Sequence, residues 1–121
     1  MKKKILIAED EPNIIELLKI ILSDSYDLFI AKDGKETLKL IKEKKIDLIL
    51  LDIMMPYFNG YEICEKIKND KNKKHIKIVI LSAKGQEKEI IKGLQCGADI
   101  YITKPFDPIE LENKISDLLK E

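Results

Sequence analysis

Apolar residues in this chain fall into five short unbroken runs, each followed by a longer segment in which they recur every three or four positions. The runs cover residues 4–8, 28–31, 48–51, 78–81 and 100–102. A run that is apolar throughout has no solvent face, so it fits a strand buried on both sides within a parallel sheet. The segments between them carry helical stripes: Ile14, Leu17, Leu18, Ile21 and Leu22; then Thr37, Leu38 and Ile41; then Ile63, Cys64 and Ile67. A fourth stripe is Ile90, Ile91 and Leu94, and a fifth is Leu111, Ile115, Leu118 and Leu119. Local punctuation agrees. Pro12 suits a first helical position, Asp33-Gly34 precedes the second helix, and Asp107 with Pro108 fits an N-cap followed by N1. Gly97 fits the left-handed residue that closes the fourth helix. Residues 42–45 read as the solvated end of the second helix and residues 69–77 as a polar, lysine-rich loop in which His75 has no companions for a site.

Five strands alternating with five helices, joined by short loops without a linker or repeat, predict an α/β fold. The expected architecture is one doubly wound, five-stranded parallel sheet with helices on both faces. Its natural strand order is the flavodoxin-like 2-1-3-4-5.

Composition narrows the class. A chain of 121 residues is expected to form one domain over residues 1–121, with a core large enough to need no disulfide or structural metal. Its 22 basic residues, all lysines, balance 22 acidic ones, so no global field draws it to nucleic acid or to an anionic membrane. Cys64 and Cys96 form no C-x-x-C pair, and with the single His75 they make no zinc set, so two buried free thiols are expected. Neither a signal-peptide core nor a spanning segment is present in these residues, and a cytoplasmic location is expected.

The chemistry lies at the strand ends. Strand 1 ends in Glu9 and Asp10, strand 3 in Asp52, strand 4 in Ser82 and strand 5 in Lys104, while strand 2 ends in nothing comparable. Asp52 taken alone could equally be a turn or cap aspartate. In the order 2-1-3-4-5, however, the four polar-ended strands are neighbours, and the crevice beyond their carboxyl ends is where such sheets bind ligands. Three carboxylates brought together repel one another, which points to a divalent cation, and an all-oxygen donor set points to magnesium. A transferring phosphoryl group fits the same surroundings. Magnesium and an ammonium stabilise it, and a carboxylate can receive it.

At these residues the sequence resembles a bacterial response-regulator receiver domain of two-component signalling, similar to the chemotaxis receivers, over essentially its whole length. The resemblance rests on the acid pair Glu9-Asp10, the L-L-D-I-M-M-P...N-G-Y-E stretch around Asp52, L-S-A at residues 81–83, and G-A-D-I-Y-I-T-K-P-F at residues 97–106. It implies that Asp52 is the phosphoacceptor, that Asp10, Asp52 and the Met54 carbonyl bind Mg²⁺, and that Glu9 acts on the metal through a water. It further implies that Ser82 and Lys104 contact the phosphoryl oxygens, that Pro105 follows a cis peptide bond, and that Tyr101 with Ser82 forms the switch. The implied partners are a sensor histidine kinase or phosphotransfer protein and a downstream effector or fused output domain. The switched surface would be helix 4, strand 5 and helix 5. Such a protein is a phosphoacceptor that promotes its own phosphotransfer and dephosphorylation, with no direct binding to nucleic acid or membrane. No output domain is visible after the fifth stripe, so a stand-alone receiver and a piece of a longer regulator or hybrid kinase are both expected forms.

Some positions depart from the family pattern. Tyr57 places an aromatic after the loop proline, and Glu9 stands where Asp is more usual. Ile100 follows Ala98-Asp99 where DNA-binding subfamilies commonly carry a second Asp, and there is no arginine for the last-helix pairs of their dimers. Met54 and Lys84 occupy the positions that flank the approach of hydrolytic water, and neither can accept that water's proton, so slow dephosphorylation is expected. Three rivals remain. A flavodoxin would need hydroxyls and backbone N–H groups where Glu9, Asp10 and Glu11 stand. An Asp-nucleophile phosphohydrolase would need a second Asp where Met54 stands. A degenerate receiver would bind partners without phosphorylation.

Overall fold

The computed structural model describes residues 2–55, 59–83 and 86–120. Tyr57 and Lys84, on which two of the expectations above fall, lie outside the described residues. Strands and helices alternate as β1 (Lys4–Ala8), α1 (Pro12–Leu22), β2 (Asp27–Ala31), α2 (Gly34–Glu43) and β3 (Leu48–Asp52), followed by α3 (Gly60–Asn69), β4 (Lys77–Ser82), α4 (Glu87–Gln95), β5 (Ile100–Thr103) and α5 (Pro108–Leu119). All four strand pairs are parallel, in the order β2-β1-β3-β4-β5.

The unbroken apolar runs become strands because both of their faces are covered. On one face Leu6, Ile49, Leu51 and Ile80 pack with Ile41, Ile63 and Ile67 of α2 and α3. On the other, Ile5, Ile7, Leu50 and Val79 pack with Leu18 and Leu22 of α1 and with Leu111 and Ile115 of α5. β3 is buried at every position, as a central strand must be.

Local signals act where the sequence places them. Pro12 opens α1, Asp33 caps α2 through the Glu36 N–H, and Asp107 caps α5 through the N–H groups of Ile109 and Glu110. Gly97 has φ +104° after α4, the left-handed conformation expected of it.

Some expectations need correcting. Ile91 and Leu94 of α4 are 46% and 44% exposed, and the buried residue of that helix is Gly93. The helix meets β5 through a glycine, which lets it lie close and turns its larger side chains toward solvent. On α2, Leu38 sits on the outer rim of a groove with Ile41, Lys42, Lys66 and Ile67, while Thr37 and Ile41 point inward. Of the two free cysteines, Cys64 is buried but Cys96, at the C-cap of α4, is only half-buried. His75 is exposed in the loop between α3 and β4. Among the described residues, no helix is long and apolar enough to cross a membrane.

Candidate functional site

The site is a consequence of register. β1 and β3 lie side by side, so Glu9, Asp10 and Asp52 leave the sheet at neighbouring points along its carboxyl edge. Asp52 pairs with Leu81 of β4, which puts Ser82 one residue further out, and Ser82 pairs with Thr103 of β5. The Lys104 N–H donates to the Ser82 carbonyl at 2.8 Å, so the lysine starts just beyond that edge and its side chain turns back over it. The Lys104-Pro105 bond is cis, as the resemblance implies.

Each acid is held by its own loop. Glu9 is 1% exposed, and its Oε2 accepts the N–H groups of Asp10 at 3.1 Å and Glu11 at 3.2 Å. Asp52 Oδ1 accepts the Met54 N–H at 2.9 Å, which fixes the carboxylate against the turn leaving β3. Lys104 Nζ then bridges the two, at 2.7 Å from Glu9 Oε1 and 3.3 Å from Asp52 Oδ2. One carboxylate oxygen from each of Glu9, Asp10 and Asp52 lies within 4.8 Å of the other two. When all three acids are ionised, they exceed the one ammonium by two negative charges. A divalent cation matches that excess, and donors that are all oxygen suit magnesium.

Protonation follows from the crowding. Burial pushes the Glu9 carboxyl up to about 7, the Asp52 charge pushes the same way, and Lys104 opposes them only in part. Burial works to lower the Lys104 ammonium, but Glu9 and Asp52 outweigh it, and its pKa moves upward. Lys104 thus stays charged between the two carboxylates.

The hydroxyl side of the site is equally enclosed. Ser82 is fully buried, and Tyr101 turns inward so that its phenol comes within hydrogen-bonding reach of the Ser82 and Tyr61 hydroxyls. Met54 stays 52% exposed at the mouth. Among the described residues, Glu9, Asp10, Asp52, Met54, Ser82, Tyr101 and Lys104 all lie at this edge or directly behind it. The sequence reading missed Tyr61 of α3 and Glu89 of α4, whose side chains share a 2.7 Å hydrogen bond behind Tyr101. A glycine inside a helical pattern, Gly93, was the one signal that something packs closely there.

The comparisons with known proteins agree with this geometry. Residues 5–116 match the family described as the response regulator receiver domain. The chain is 41% identical over 121 residues to the alkaline phosphatase synthesis transcriptional regulatory protein PhoP of Bacillus subtilis, covering 99% of this chain and 50% of that protein. It is also 41% identical over 121 residues to the response regulator GtcR of Aneurinibacillus migulanus, covering 99% of this chain and 49% of that protein. The chain thus spans about half the length of these curated relatives. Among solved structures, the BeF3-activated receiver domain of DrrB superposes with a TM-score of 0.91 at 29% identity, covering 100% of both chains. The acidic loop after β1 and Met54 after the site aspartate already told against a flavin carrier and a phosphohydrolase. With its fold, its strand-end residues and nearly its whole length in agreement, this chain belongs to the response regulator receiver domain family of two-component signalling.

Proposed function

We propose that Asp52 is the phosphoacceptor of this receiver, and that Asp10, Asp52 and the Met54 carbonyl hold Mg²⁺ with Glu9 acting through a water. The observation that carries the reading is Lys104 Nζ at 3.3 Å from Asp52, beside a triad of acids in which one oxygen from each lies within 4.8 Å of the other two. An Asp52 oxygen attacks phosphorus in line, and the bond from phosphorus to the donor's imidazole nitrogen or acyl oxygen breaks, its electron pair leaving with the donor. Asp52 becomes an acyl phosphate. Water later attacks the same phosphorus and returns the carboxylate and inorganic phosphate. Bound magnesium would offset charge on the phosphoryl oxygens, while Lys104 and the Ser82 hydroxyl contact them from the β4–β5 side.

The donor would be a histidine kinase or a phosphotransfer protein, and the recipient of the signal an effector protein or a fused output domain. Ile91 and Leu94 of α4, exposed beside β5, support a partner surface on the α4-β5-α5 face. A cytoplasmic location belongs to the same reading. The activity is directed at the protein's own aspartate rather than at a separate substrate. Incubation with a small acyl-phosphate donor and Mg²⁺ should add one phosphoryl mass, and Asp52→Asn or chelation of the metal should abolish it. Equal labelling of the Asn variant would place the acceptor elsewhere.

A further inference from the structure

Helix α4 touches the rest of the molecule in an unusual way, because Ile91 and Leu94 of its apolar stripe are exposed while Glu89, Lys92 and Gly93 contact the tyrosines beneath it. Glu89, Lys92 and Gly93 stand at i, i+3 and i+4, so they share one face of the helix. Glu89 Oε2 accepts the Tyr61 hydroxyl at 2.7 Å, and Lys92 Nζ lies 4.5 Å from the centroid of the same tyrosine ring. Gly93 lies against Tyr101, where a Cβ would sit 2.7 Å from Tyr101 Cδ2 and 3.0 Å from Ile80 Cδ1. One turn of α4 therefore grips Tyr61 by its hydroxyl and its ring, and leaves a recess that the Tyr101 ring occupies.

We propose that Tyr61 is a positioning residue of the switch, holding Tyr101 inward beside Ser82 and tying that position to α4 through Glu89. The proposal rests on the phosphoacceptor reading for its purpose, but its geometry is present without a phosphoryl group. Tyr61 and Tyr101 pack against the same core, Tyr101 next to Gly93 of α4 and Tyr61 hydrogen-bonded to Glu89 of the same helix. A change at Ser82 reaches Tyr101 first. Tyr61 then passes it to the helix that carries Ile91 and Leu94, so the exposed stripe moves with the site. Glycine at position 93 is the matching requirement, because any side chain there would expel the ring from the recess.

The chain has four tyrosines, so fluorotyrosine labelling gives a fluorine spectrum in which Tyr101 is assigned by Tyr101→Phe. In the unphosphorylated protein, Tyr61→Phe should move the Tyr101 signal toward that of a solvent-exposed tyrosine and speed amide exchange of α4 about tenfold. Gly93→Ala should move the same signal further. Glu89→Gln, which keeps an acceptor for the Tyr61 hydroxyl, should leave it near the wild-type position, and Glu89→Ala should not. An unmoved Tyr101 signal in Tyr61→Phe, with α4 exchange also unchanged, would overturn the proposal. A lower melting temperature with an unmoved Tyr101 signal would overturn it too, by showing Tyr61 to be merely structural. Phosphoryl uptake by wild type, read separately by mass, tests the phosphoacceptor reading. These spectra judge Tyr61 whether or not uptake occurs.

Discussion

Burial favours the protonated form of Glu9, so proton uptake there and the binding of a cation at the acids beside it oppose each other. Its folded-state pKa is raised from 4.5 to about 7, chiefly by burial. For a group raised in this way, the stabilising contribution is complete below the unfolded value and is lost as pH rises through the folded one. The melting temperature of the metal-free protein should therefore fall between pH 5 and 8, and Glu9→Gln should flatten that fall. A wild-type profile as flat as the variant's would show that Glu9 keeps an ordinary pKa. Mg²⁺ affinity should rise over the same pH interval, since a proton on Glu9 removes a negative charge beside the metal ligands. Asp52→Asn removes a neighbouring charge that raises Glu9, so it should shift the fall toward lower pH. The acids were legible in the sequence because the Glu9-Asp10 pair and Asp52 each close an apolar run. The grip of Lys104 on Glu9 was not, since two side chains 95 residues apart meet only through the sheet register.

At the scale of elements, strands were easier to read than helix faces. A strand buried on both sides declares itself by composition alone, as β3 does. The inner face of α4 is set instead by what it meets, and Gly93 takes that face while Ile91 and Leu94 stay exposed. The start of α3 shows the same close approach. Asn59 caps the N–H groups of Tyr61 and Glu62, and a Cβ at Gly60 would fall 2.5 Å from Ile53 Cγ2 and 2.8 Å from its Cα. Part of that clash is with backbone, which cannot rotate away. Gly60→Ala should cost about 1–3 kcal/mol, read as a lower urea midpoint with an unchanged slope. Ile91→Gln, on an exposed site, should stay within about 0.5 kcal/mol of wild type. A Gly60→Ala protein as stable as wild type would mean that α3 can shift away from Ile53.

For the whole molecule, the topology was readable because five strands alternating with five helices favour one doubly wound sheet, and the strand-end acids fit its order. An order that separated β1 from β3 would leave Glu9 and Asp10 far from Asp52 with no common ligand. That order also has a bearing on how the chain is made. The strands β2, β1 and β3 all lie within residues 4–52, so a nascent chain can assemble them with α1 and α2 before β4 has emerged from the ribosome. During that interval β3 is an edge strand with two apolar faces and a row of unpaired backbone groups, the form most prone to pair with another chain. A chain truncated after Met55 should accordingly associate at concentrations of about tens of micromolar, detectable by sedimentation. A monomeric fragment would show that α1 and α2 already shield that edge. Slow translation before β4 would then be harmless, whereas an associating fragment makes the timing of the next thirty residues, roughly a few seconds of synthesis, a hazard for the newborn protein.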